Sequence, residues 1–97
     1  MLKKLSGIEA RFEELSQLLA DPEVASDYTR VSEYAQERAR IEPIVLLASQ
    51  YRESTQTLKE TEALLADPEM RSMAEAEIAA LRPAIEKLEQ RIRRMLL

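Results

Sequence analysis

Ninety-seven residues with one Gly, four Pro, one Phe, no Trp, no His and no Cys set narrow bounds. A single Gly leaves almost no hairpin turns, which argues against an extensive β-sheet, and without Cys there is neither a disulfide framework nor a thiolate metal site. The net charge of −4 runs against a free-standing nucleic-acid binder, which is ordinarily basic.

A third of the residues are charged, and Ala, Glu, Leu and Arg dominate, the composition of long amphipathic helices. Such helices bury a thin seam rather than a thick core. A domain this small is marginal by surface-to-volume scaling, so it is expected to lean on further chain or on a partner. The start, Met1 to Gly7, has the basic head of a signal peptide, but Glu9, Arg11, Glu13 and Glu14 interrupt any apolar region. No stretch approaches the ~20 apolar residues of a membrane span. The expectation is a soluble, cytoplasmic chain.

The first helix is predicted over 2–20. Leu5, Ile8, Phe12, Leu15 and Leu19 form a 3-4 spaced stripe, with Glu9, Arg11, Glu13, Glu14 and Gln17 on the other faces. The second helix is predicted over 27–65, with Asp27 as a candidate cap. Its candidate core positions are Tyr28, Val31, Tyr34, Ile41, Ile44, Val45, Ala48, Tyr51, Leu58 and Leu65. The part from Arg52 to Thr61 is the least apolar and is expected to be the most exposed. The third helix is predicted over 68–96, starting at Asp67-Pro68. Ala74, Ile78, Leu81, Ile85, Leu88, Ile92 and Met95 keep an unbroken 4-3 spacing there, the cleanest seam in the chain.

Punctuation comes from a hexapeptide written twice, Leu-Leu-Ala-Asp-Pro-Glu at 18–23 and again at 64–69. Asp suits a helix N-cap, Pro the first helical position, and Glu the positive end of the helix dipole. Pro43 and Pro83 fall inside apolar periodicity, so each is expected to kink its helix rather than end it. The doubled hexapeptide and the two inner prolines suggest an imperfect internal duplication. Short links make neighbouring helices antiparallel. The expected fold is all-α: a single domain forming an elongated antiparallel three-helix bundle, or helical hairpin, with Pro kinks.

Chemistry is scarce. There is no His for acid–base work, no Cys nucleophile and no Gly-rich phosphate loop. Glu13-Glu14, Glu75 with Glu77, and Glu86 with Glu89 offer carboxylates, but these fit solvated helix faces, and no Glu-x-x-His pair exists for a di-iron site. No catalytic residue, cofactor site or metal site is assigned. Arg91, Arg93 and Arg94, with Lys87 and Arg82 upstream, read first as cations placed at a helix C-terminus; contact with phosphate or an acidic surface is the sharper alternative. Arg30, Arg38 and Arg40 read as surface charges. The apolar tail at Ile92 and Met95-Leu96-Leu97 suggests a fragment whose next residues cover this end.

The stretch Asp67-Pro68-Glu69-Met70-Arg71-Ser72-Met73-Ala74, followed by Glu75 and Glu77, resembles the Asp-Pro-Glu-Met-Arg-x-Met-Ala stretch in the N-terminal domain of bacterial class I peptide chain release factors. The opening helix with its Asp-Pro-Glu link, the run from Ser32-Glu33-Tyr34 to Ile41-Glu42-Pro43-Ile44-Val45, and the closing Met95-Leu96-Leu97 fit as well. The resemblance implies a factor that acts on the ribosome at UAA and UAG stop codons. The family's Pro-x-Thr type codon-reading tripeptide and Gly-Gly-Gln hydrolysis loop are absent from these residues, so no catalytic role is carried over. What the resemblance implies for them is a non-catalytic arm near the stalk base of the large subunit, touching rRNA and ribosomal protein, with the class II release-factor GTPase as a further partner. Met70, Arg71 and Met73 are the candidate partner contacts, since methionines at an exposed turn are adaptable apolar groups; the alternative is that Met70 and Met73 simply close the end of the bundle. The alternative is a free-standing coiled-coil adaptor that binds proteins. An RNA-binding hairpin has the net charge against it, and an enzyme has least support. The isolated chain is expected to be a monomer or weak dimer.

Overall fold

The structure is a computed structural model describing residues 1–97, and it is all-α. Four α-helices, α1 (Leu2–Ala20), α2 (Pro22–Ala25), α3 (Tyr28–Ala63) and α4 (Arg71–Met95), are joined by short turns, with one 3₁₀ turn at Leu64–Ala66. Where composition suggests one domain, the contacts group into two compact units, Met1–Leu46 and Leu47–Leu97. Thin helices touch only their immediate partner segment, so their contacts stay local. Residues 28–46 of α3 belong to the first unit and residues 47–63 to the second.

In the first unit α1 turns Leu5 and Leu15 inward, both with no exposed surface. Phe12, at the middle of the expected stripe, is half-buried, and the Arg38 guanidinium lies over its ring at 4.4 Å from the centroid. A cation over an aromatic face is attracted by the ring quadrupole. Arg38 Nε also donates to Ser16 Oγ at 3.0 Å, tying α1 to α3. A second tie is bidentate: Arg11 Nε and Nη2 donate to the two Glu37 carboxylate oxygens at 2.6 and 2.8 Å, while Nη1 pairs with Glu14. The hydrogen bonds from Arg11 hold the Glu37 carboxyl below the usual range.

Asp21 closes α1 and caps α2, its carboxylate accepting from Glu23 N at 2.9 Å. Val24 on α2 is 1% exposed and completes this core together with Ile44. Asp27 caps α3 by accepting from Arg30 N at 3.2 Å. Tyr28, expected in the core, is 85% exposed. It is the first residue of its helix, and its ring stays in solvent.

The second unit is an antiparallel hairpin. Tyr51 donates to Glu89 at 3.1 Å and Arg82 donates to Glu62 at 3.2 Å, so residue numbers rise along α3 as they fall along α4. Ala74, Ile78, Ile85 and Ile92 are buried, with Leu81 and Leu88 half-buried between them. Met95 leaves the seam at 47% exposure, because it is the last helical residue and has nothing packed over it. On α3 Leu47 and Thr61 are buried, although neither stood out in the sequence. Thr61 sits at the edge of the stretch expected to be most exposed. Its hydroxyl donates to the Thr57 carbonyl at 2.7 Å, so no buried polar group lacks a partner.

Pro43 and Pro83 lie inside continuous helices. Both prolines are exposed, as are Ala39 and Ala79, whose carbonyls lose their helical partner. The freed carbonyls therefore meet water rather than an apolar interior, where an unpaired group is costly.

This packing has two measurable consequences. Ile92→Ala is expected to lower stability by about 2–5 kcal/mol in urea unfolding, whereas Met95→Ala should stay within about 0.5 kcal/mol. Glu37 contributes stability that is complete above the usual glutamate pKa of about 4.3 and is lost as pH falls through its lowered folded value. Glu37→Gln should therefore flatten the acid limb of a melting-temperature profile between about pH 5 and 3; an unaltered acid limb would contradict the assignment.

Candidate functional site

The candidate contacts straddle the start of α4: Met70 lies in the turn that follows the 3₁₀ turn Leu64–Ala66, and Arg71 and Met73 lie in the first turn of α4. Asp67 organises this junction. Its N–H donates to the Leu64 carbonyl at 3.0 Å, which tightens the end of α3 into a 3₁₀ turn. The helix predicted over 27–65 therefore ends as α-helix at Ala63. The Asp67 carboxylate accepts from Glu69 N at 3.0 Å, as Asp21 does from Glu23 N in the first copy. The two hexapeptides thus make the same capping bond.

The copies diverge just after the cap. The Asp67 carbonyl is shared between Met70 N at 3.1 Å and Arg71 N at 2.9 Å, so residues 68–70 form a tight turn and regular α-helix begins at Arg71. The expected start of this helix at 68 is corrected by one turn. Sharing one carbonyl between the third and fourth residue on is common where helices begin and end.

The three side chains are not equivalent. Met73 projects into solvent at 48% exposure, and Met70 is half-buried. The Arg71 side chain is exposed, yet its Nε donates to the Leu65 carbonyl at 3.2 Å. Arg71 thereby satisfies a carbonyl at the end of the 3₁₀ turn and braces the tip. This role was not visible in the sequence, because it depends on a hydrogen bond across the turn rather than on helical spacing.

Elsewhere, polar groups engage one another within helix pairs. Tyr51 is half-buried, and burial, followed by its bond to Glu89, pushes its hydroxyl pKa up, so the phenol remains a donor at neutral pH. Glu89 also faces Arg93 at 3.8 Å. Among the remaining candidate carboxylates, Glu14 pairs with Arg11. No three acidic side chains converge as metal ligands would, and no pocket opens on the surface. No helix is long and apolar enough to cross a membrane.

Comparison with known proteins bears on this geometry. The PCRF domain family matches residues 8–97. "Peptide chain release factor 1" of Anaeromyxobacter dehalogenans (strain 2CP-C) is 46% identical over 95 residues, covering 96% of this chain and 26% of that protein. The protein of the same name from Exiguobacterium sp. (strain ATCC BAA-1283 / AT1b) is 40% identical over 101 residues, covering 100% of this chain and 28% of its own length. That from Bacillus subtilis (strain 168) is 38% identical over 100 residues, with coverage of 100% and 28%. The chain thus spans about a quarter of the length of the curated relatives it matches. No solved structure matches it.

The cap at 67 yields a direct expectation. Asp67→Ala should cost about 1 kcal/mol and speed amide exchange at Glu69, while exchange at Glu23, held by Asp21, stays unchanged.

Proposed function

The chain belongs to the PCRF domain family, and from that premise we propose that it is the N-terminal helical arm of a cytoplasmic translation termination factor. The observation that carries this reading is whole-length similarity, at 38–46% identity, to relatives named "Peptide chain release factor 1". The factor acts on the ribosome at UAA and UAG codons and releases the nascent peptide. In this reading the hydrolytic step belongs to other parts of the full-length factor, and these 97 residues serve as its arm.

The arm's task is docking. The helix pairs are held by thin seams and by ion pairs at their margins, and the turn that joins α3 to α4 leaves side chains exposed for contact. The turn at 67–73 ends in an exposed thioether, Met73, with Met70 half-buried beside it. Flexible, polarizable side chains of this kind adapt to irregular surfaces. Arg71 holds the turn in shape through Leu65, so the two methionines make the contact and Arg71 positions them. The partner surface is the stalk base of the large subunit, rRNA and ribosomal protein together, close to where the class II release-factor GTPase acts.

The full-length protein carrying this arm is expected to release a labelled peptide from ribosomes halted at UAA or UAG, and not at UGA. Met70→Ser with Met73→Ser should raise the factor concentration needed for half-maximal release about tenfold, the equivalent of ~1.4 kcal/mol, with helicity and the rate at saturation unchanged. A full-length protein inactive at every stop codon would overturn the termination reading. Unaltered release by the double variant would overturn the docking role of the turn.

A further inference from the structure

The cations of α4 divide into two groups that the sequence does not distinguish. Three are engaged within the chain: Arg71 donates to the Leu65 carbonyl, Arg82 to Glu62, and Arg93 faces Glu89. The other three, Lys87, Arg91 and Arg94, are exposed and have no carboxylate partner. Spacings of four and three residues set them on one helical face. At 1.5 Å rise per residue they are offset along the axis by about 6 and 4.5 Å.

Extending this face toward the N-terminus in steps of three, four and four residues meets Ala84, Ala80 and Ala76, all exposed, with Glu77 to one side. No acid interrupts the line over these six positions, although the chain as a whole carries 18 acidic residues against 14 basic ones. The helix dipole accounts for Arg94, in the last turn, but not for the whole row. Its favourable effect on cations is confined to the last turn, and Lys87 stands about two turns before the end of α4.

From this row we infer that Lys87, Arg91 and Arg94 form a contact for the phosphate backbone of an RNA strand. Unpaired cations in a line match a polyanion, and Arg and Lys supply most protein contacts to nucleic-acid phosphates. The short alanines beside them let a strand approach the helix closely. A protein partner fits less well. Binding energy between proteins concentrates in large apolar or aromatic anchors at the centre of the contact, whereas here the exposed apolar side chains, Met95 and Leu97, stand at the C-terminal end of the row and its centre is flanked by Ala84, Pro83 and Gln90. That the strand is RNA rests on the proposed ribosomal role; the phosphate contact itself does not. The surface is separate from the methionine turn at 67–73.

Fluorescence anisotropy of the 97-residue chain with a labelled RNA hairpin, between about 50 and 200 mM salt, tests the inference. Three phosphate contacts give a log–log salt slope of about −2 to −3, at roughly 0.7–0.9 per contact. K87Q/R91Q/R94Q should bring the slope close to zero and weaken low-salt binding at least about tenfold. The control R82Q/R93Q, which removes paired cations, should keep the original slope, and circular dichroism should show both variants equally helical. A triple variant with the original slope overturns the inference. So does a control that loses as much binding, or polyglutamate competing as effectively as RNA, which would mark the face as a site for acidic protein. A full-length protein inactive in peptide release would overturn the termination reading while leaving these slopes intact.

Discussion

Each helix of this chain has one narrow apolar line with which to hold its partner. With a third of the residues charged, α1 buries two residues and α4 four. A seam that thin confers little register by itself, since sliding one helix along another exposes few apolar atoms. The polar bonds at the seam margins set the register. In the first unit Arg11 grips both carboxylate oxygens of Glu37, and Arg38 lies over Phe12 while bonding Ser16. In the second, Tyr51 meets Glu89 and Glu62 meets Arg82. Exposed ion pairs add little stability one by one. Their geometry nonetheless allows one alignment per helix pair.

The same constraint accounts for what the sequence revealed and what it hid. Helix identity, the capping roles of Asp21 and Asp27, and the seam through Ala74, Ile78, Ile85 and Ile92 were legible, because caps and 3-4 spacing are local signals. The persistence of α3 and α4 through Pro43 and Pro83 also accords with unbroken periodicity. Departures arose where position overrode residue type. Tyr28 and Met95 stand at helix ends, where an apolar side chain has the right phase but nothing to pack against. Thr61 is polar yet buried, because a threonine hydroxyl in a helix can return to the carbonyl four residues back and present its methyl group inward. The start of α4 moved by one turn because Asp67 shares its carbonyl between two amides.

The turn that carries Met70 and Arg71 was legible in the sequence, whereas the bonds its side chains make were not. The doubled hexapeptide marked the turn, and the methionines marked its adaptability. That Arg71 braces the turn could emerge only from three-dimensional contacts. The cations of α4 teach the same lesson. Along the sequence they form an undifferentiated basic end; in space half of them engage neighbours and half face outward in a row. The chain thereby carries two different exposed features, a methionine-bearing turn and a cationic helix face, on one otherwise acidic sequence.

The central claim is that the turn at 67–73 meets the large ribosomal subunit. Photo-crosslinking from position 73 of the full-length protein, bound to ribosomes halted at a UAA codon, tests it most directly. The account predicts crosslinks to rRNA or protein of the stalk base, lost when the factor is displaced. Crosslinks confined to the factor's own chain, or to the small subunit alone, would contradict it.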